Sequence, residues 1–364
     1  MTLPDSLDQM QIELSSFLRS FFKQEKKQAE KVDPTLVESV EMLERFCLRG
    51  GKAISPFLTK IAYTLSGGKD LKNLLPVLAA IELHHKHLLI IDDIADRDEL
   101  RYNGPTLEYA YRTYVERYPS PFPDPGDVER DHRARSLAML DGVYLSGLSK
   151  KLLFQSGFDS KLLIKCLTIL QDIMYAQTLA GWKIQFYQNM MENKQATEKQ
   201  FMKGLELVTS RYKFTGPFRI GRLLSGNEDV TLSQALETYA VEIGKAFQIH
   251  DDILGLFGDP LVTGKPAGND VREGKKTLLI QKTYHHVDYG AKSFLDICVG
   301  NQTIGSKDIQ RIQRMVKDSG ALRYCEVLEQ ECMEKGIQAI HDLPDSDEKQ
   351  LLFELAHFVV ERKK

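Results

Sequence analysis

Residues 84–106 read HHKHLLIIDDIADRDELRYNGPT, from His84 to Thr106, and the reading of the whole chain turns on them. If one helix continues through the acids, Asp92 and Asp96 stand four residues apart and project from one face. Two carboxylates stacked in this way repel each other unless a cation lies between them. Oxygen-only ligands at this spacing suit Mg²⁺, which takes one or two carboxylates and completes its shell with water and phosphate. The apolar run Leu88, Leu89, Ile90 and Ile91 implies that the acids emerge from a buried helix. An isolated DDxxD is also an ordinary solvated helix end, so the motif needs support from elsewhere in the chain.

That support comes near residue 251. Residues 247–277 read FQIHDDILGLFGDPLVTGKPAGNDVREGKKT. Asp251 and Asp252 again follow an apolar helical run, and a glycine-rich turn with Lys265, Lys275 and Lys276 comes next. Two acidic clusters with nearby lysines suit a diphosphate ligand: the acids hold metal, the metal bridges phosphate oxygens, and the lysines neutralise the remaining charge. Gly50-Gly51-Lys52 adds exposed backbone N–H groups and an ammonium, which together suit an anion.

Helical periodicity covers almost all of the 364 residues. Helices are expected over 34–48, 56–65, 71–96, 134–153, 162–188, 198–224 (with Pro217 able to bend it), 233–255, 277–299, 307–340 and 347–362. Strand signals are nearly absent, no hairpin is expected, and no linker divides the chain. The expectation is therefore an all-α fold in a single domain, residues 1–364. Residues 119–131, PSPFPDPGDVERD, read as a Pro-rich loop insertion. A net charge of −3 argues against nucleic acid as a partner. Five scattered cysteines suggest neither disulfides nor a zinc site and fit a reducing, cytoplasmic setting. No signal peptide is recognised, and no stretch is read as approaching the length and apolarity of a transmembrane segment.

On these residues the chain resembles the trans-isoprenyl diphosphate synthases, the farnesyl and geranylgeranyl diphosphate synthase or polyprenyl synthetase family. The resemblance rests on Asp92-Asp93-Ile94-Ala95-Asp96, then Arg101 and Gly104-Pro105-Thr106. It continues in Phe247 to Asp252, Thr263-Gly264-Lys265-Pro266 and Asp270 to Lys275. It implies a helical bundle around a deep central cavity, a homodimer, and three Mg²⁺ ions held with bound diphosphate by Asp92, Asp93, Asp96, Asp251 and Asp252. Arg101, Lys213, Lys265 and Lys275 would serve an allylic diphosphate, and Lys52 and His85 isopentenyl diphosphate. His87 and Leu88 would floor the cavity and favour a C15–C20 product. Two positions depart from the family's acceptor pattern, since Ser55 and Tyr102 stand where arginines are usual. That loss keeps open a class I terpene cyclase, a prenyltransferase with another acceptor, or a non-catalytic partner subunit on the same scaffold. A carboxylate usual on the fourth long helix is also absent, and Gly255 replaces the last aspartate of the second motif.

Overall fold

The computed structural model describes residues 2–117, 126–195, 197–259, 262 and 267–363. They are helical almost throughout and group into two compact units, residues 1–60 with 69–167 and residues 61–68 with 168–364.

The first unit begins with α1 (Leu3–Val32), a helix missing from the expected set. Thr2 caps it, and Leu3, Leu7, Met10, Leu14 and Leu18 form one buried stripe. There follow α2 (Leu36–Leu48), α3 (Ile54–Leu65, which runs on into the second unit), α4 (Leu71–Ala95), α5 (Leu107–Val115) and α6 (Gly126–Phe154). The core of this unit is α4 against α6, where Ser149 Oγ donates to the Ala80 carbonyl at 2.7 Å. Pro76 lies within α4.

The insertion expected at 119–131 is shorter than its sequence suggests. Residues 126–131 are the first turns of α6, and there Glu129 accepts from Arg133 Nε at 2.9 Å, one turn along. The charge run after the prolines is thus a helix start; residues 119–125 lie outside the described set. A hairpin also forms where none was expected. Leu100–Arg101 pairs antiparallel with Gly104–Pro105 across Tyr102 and Asn103, which both take left-handed backbone (φ 51° and 57°). Of the two turn residues only Asn103 is a type that readily takes this backbone, Gly104 already belongs to the second strand, and two-residue strands give no alternation to read.

A buried cluster joins α2, α5 and α6. Asp141 accepts from Tyr111 Oη at 2.5 Å and from Ser39 Oγ at 2.8 Å. Burial pushes its carboxyl up to about 6, against the opposing pull of those two donors. The folded protein therefore binds this proton more tightly than the unfolded chain, whose aspartates titrate near 4. The stabilisation is present below pH 4 and is lost as pH rises through about 6. Denaturation between pH 4.5 and 7 should show wild-type stability falling relative to Asp141→Asn, by on the order of 1–3 kcal/mol. Parallel profiles would contradict the assignment.

The second unit holds α7 (Ser160–Ile169, which starts in the first unit), α8 (Gln177–Met190), α9 (Glu198–Leu205), α10 (Gly216–Ser225) and α11 (Val230–Phe257). After them come α12 (Asn269–Arg272), α13 (Leu278–His286), α14 (Tyr289–Cys298), α15 (Ser306–Asp318), α16 (Ala321–Ile340) and α17 (Asp347–Glu361). Two expected helices are each a pair: Asp288 caps a new start after α13, and Gly320 (φ 77°) separates α15 from α16. π-helical segments, Leu170–Ala176 and Glu206–Thr215, join α7 to α8 and α9 to α10. The second ends where Gly216 N–H bonds Arg211 O, five residues back, just before Pro217, which has no N–H to give. The irregularity expected at Pro217 thus begins a full turn or more earlier. α11 packs closely on this segment: a Cβ on Gly244 would lie 2.5 Å from Ser210 Cα. Ile249, Leu256, Leu279, Ile280 and Ile312 anchor the core around α11, α13 and α15.

The reading that no stretch approaches a membrane span is corrected. Residues 71–95 and 160–190 are long and apolar enough, and their most apolar windows are 72% and 33% buried within the protein, respectively. α4 owes its composition to packing on every side.

Candidate metal and diphosphate sites

In the first unit the acids sit where α4 ends. Asp96 is the C-cap, its N–H on the Asp92 carbonyl at 2.8 Å, so Asp92 and Asp96 stand one turn apart and both are half-buried. Asp93 is buried and engaged by Arg101, whose Nε donates to its Oδ1 at 2.6 Å. Arg101 also reaches Asp92 Oδ2 at 3.0 Å and Asp98 Oδ2 at 3.5 Å. Burial works against its charge, but Asp93 and Asp92 hold the guanidinium above its usual range. The hairpin thus delivers a permanent cation to the acids.

The residues expected at the acceptor diphosphate lie around the Gly50-Gly51 turn, where both glycines take positive φ (65° and 112°). Lys52 and His85 are half-buried. Ser55 is buried in the first turn of α3, its carbonyl accepting from Thr59 Oγ1 at 3.0 Å. Beneath the turn is a residue that the sequence reading missed. Lys86 is fully buried, donates to Gly50 O at 2.8 Å, lies 3.5 Å from Glu82 Oε1, and sits 4.7 Å from the centre of the Tyr102 ring. A Cβ on Gly51 would meet its Nζ at 3.1 Å. Its spacing from Glu82, four residues earlier on the same helix, is the signal that could have revealed it. His87 and Leu88 are buried too; burial pushes His87 down to about 4, so its imidazole is neutral beside Gly142 of α6.

In the second unit Asp251 and Asp252 lie on the last turns of α11. Asp252 is buried, with Oδ1 accepting from Gln248 Nε2 at 2.9 Å, and Gln248 Oε1 accepts from Thr209 Oγ1 at 2.5 Å. Its Oδ2 has no hydrogen-bond partner among the described residues. Burial, then Asp270 and Asp251, raise its carboxyl well above the usual range, with Gln248 and Lys275 opposing. Asp270, unremarked as a ligand in the sequence, explains the missing aspartate: a Cβ on Gly255 would lie 2.6 Å from its Oδ2. The carboxylate therefore arrives from α12 and occupies the space beside Gly255. Lys275 pairs with Asp270 at 3.1 Å. Lys213 lies over the Phe247 ring at 4.0 Å, and Arg362 lies at 4.0 Å from the same ring. Lys265 falls outside the described residues.

These residues fit Mg²⁺. The donors are carboxylates only, one buried oxygen lacks a partner, and burial with neighbouring like charge disfavours an uncompensated Asp252 carboxylate, which a cation would relieve. Among the described residues no three His, Cys, Asp or Glu side chains are grouped so as to hold a metal ion between them.

Arg362 bears on metal entry. Its Nη2 meets Asp251 Oδ1 at 2.7 Å and Phe247 O at 3.0 Å, while its own carbonyl is held by His250 Nε2 at 2.8 Å. The C-terminal arginine thus competes with a cation for Asp251. Arg362→Gln should tighten Mg²⁺ binding about fivefold, roughly 1 kcal/mol for a partly exposed pair, by calorimetry without substrate. Unchanged affinity would refute the competition.

A helical fold carrying two aspartate clusters, each with cations beside it, suits a metal-dependent diphosphate enzyme. The sequence pattern of the polyprenyl synthetase family matches residues 38–317, and the chain belongs to that family. It is 30% identical to a geranylfarnesyl diphosphate synthase of Aeropyrum pernix over 86% of this chain and 91% of that one. It is 27% identical to a geranylgeranyl diphosphate synthase of Saccharolobus solfataricus, covering 86% and 87%. Its structure matches that of a Corynebacterium glutamicum geranylgeranyl pyrophosphate synthase complexed with isoprenyl diphosphate and magnesium. That match has a TM-score of 0.89, 25% identity and full coverage of both chains.

Proposed function

We propose that the protein condenses an allylic prenyl diphosphate with isopentenyl diphosphate to a longer trans-prenyl diphosphate of C15–C20. The observation that carries this reading is the retained pair of acidic clusters, with Asp252 buried and its Oδ2 without a hydrogen-bond partner among the described residues. Mg²⁺, when bound, makes diphosphate a competent leaving group. Asp92 and Asp96, and likewise Asp251, are proposed Mg²⁺ ligands, with Asp93, Asp252 and Asp270 supporting them. Arg101, Lys213, Lys265 and Lys275 neutralise the allylic diphosphate; Lys52 and His85 bind the acceptor. Buried, neutral His87 and Leu88 limit product length. The cyclase and partner-subunit readings lose ground because the relatives are named as prenyl diphosphate synthases. All five cysteines are buried and free, which supports a reducing, cytoplasmic setting.

A homodimer through α6 fits this reading. Leu140, Val143 and Phe154 are exposed on that helix, and open space lies over Gly147.

The test is incubation with Mg²⁺ and geranyl, farnesyl or geranylgeranyl diphosphate, with and without isopentenyl diphosphate. A longer diphosphate that forms only with isopentenyl diphosphate supports the proposal. Hydrocarbon or alcohol formed without it, or no turnover at all, would overturn it.

A further inference from the structure

The first unit has a cavity of about 810 Å³ among α1, α2 and α5, lined by none of the residues assigned above to metal or diphosphate. Its volume is that of a small-molecule site. Its apolar lining includes Met42, Phe46, Leu48, Leu107 and Tyr109. Four arginines, Arg19, Arg45, Arg49 and Arg117, are also among its lining residues, with Glu38 and Glu44. Both carboxylates are already engaged: Glu38 by Arg117 at 2.6 Å and Glu44 by Lys26 at 2.9 Å. Arg19 and Arg45 have no ion-pair partner among the described residues, and the buried Nε–H of Arg49 has no acceptor there. The cavity thus offers apolar walls together with unspent cationic donors.

We infer that this cavity binds an anionic amphiphile, a phosphate head on an isoprenoid tail, as an effector separate from the substrates. Arginine donors take the phosphate oxygens, and the aliphatic and aromatic wall takes the tail. Arg49 connects the cavity to the acceptor turn. It immediately precedes Gly50-Gly51-Lys52, its Nη2 donates to Pro105 O at 2.6 Å, and the hairpin gives it room at Gly104. A head group drawn to the Arg49 Nε–H therefore pulls on both the Gly50 turn and the hairpin that carries Arg101. The isoprenoid identity of the tail rests on the proposed function; the anion site does not.

The test uses farnesyl monophosphate as probe. Calorimetry in EDTA, where metal-dependent substrate binding is suppressed, should show one saturable site per chain. Arg19→Glu with Arg45→Glu should weaken it at least tenfold, and Thr113→Trp, an exposed lining position, should block it, both with unchanged thermal unfolding. A benzophenone-bearing probe should label α2 or α5. With saturating substrates, added probe should lower kcat in the wild-type enzyme and spare both variants. No saturable binding in EDTA, undiminished binding in both variants, or labelling of α4 or α11 would overturn the inference. So would adsorption to phosphatidylglycerol vesicles without binding of the free probe. The EDTA measurements need no turnover, so failure of the proposed reaction and failure of this site are separable.

Discussion

Asp92→Asn and Asp251→Asn are each expected to lower kcat by roughly three orders of magnitude or more, the scale of losing a metal contact to a developing charge. The two should differ from Asp93→Asn in kind. Asp92 and Asp251 are partly exposed, and each shares its cation: Arg101 retains Asp93 and Asp98, and Arg362 retains its stacking and carbonyl contacts. Their variants should keep near-wild-type melting temperatures. Asp93 is buried against Arg101, and neutralising it takes from that guanidinium its closest partner while Asp92 and Asp98 remain, a loss of about 1–3 kcal/mol. Turnover and thermal unfolding measured side by side settle the matter. An Asp92 or Asp251 variant with most of its activity would end the metal assignment, and an Asp93 variant as stable as wild type would end the structural one.

The second large effect concerns Lys86. Removing its ammonium leaves Glu82 charged, buried and unpaired, and takes the donor from Gly50 O, so Lys86→Asn should cost about 3–5 kcal/mol. Tyr102→Arg should cost on the order of 1–3 kcal/mol, because it exchanges a cation–π contact for two like charges at similar range. Made together, the substitutions should cost less than the sum, since the introduced guanidinium can pair with Glu82. The same double variant should bind isopentenyl diphosphate more tightly, as one charge-assisted hydrogen bond is worth about 1.5–3 kcal/mol. Ser55→Arg should bring no such gain, because Ser55 is only 3% exposed. A double-mutant cycle in urea, with the KM for isopentenyl diphosphate, provides the check; strict additivity would show that Lys86 and Tyr102 are independent.

Much of the chemistry was legible because it depends on short spacings. Asp92 and Asp96 lie one turn apart on any helix, and their reading needed no tertiary information. The same holds for the apolar runs that became α4 and α11. What escaped was whatever depends on residues distant in sequence. Lys86 appears among histidines as one more polar residue, and only the fold puts Gly50 and Tyr102 around it. α1 went unrecognised although its buried stripe is regular, because charged and polar residues outnumber apolar ones along it. The π segment at 206–215 has no composition of its own that sets it apart from the α-helices on either side.

Gly255 and Asp270 carry a consequence for the routes by which such a chain can change. The two positions draw on one volume, since a side chain at 255 would begin 2.6 Å from the Asp270 carboxylate. An acid can be supplied from the helix or from the turn downstream, but both cannot be accommodated without displacement. Gly255→Asp made first meets a crowded, doubly negative site, whereas Asp270→Gly made first vacates it. A side chain at 255 thus obliges the far end of Asp270 to move, whereas the present glycine lets that carboxylate stay where it is.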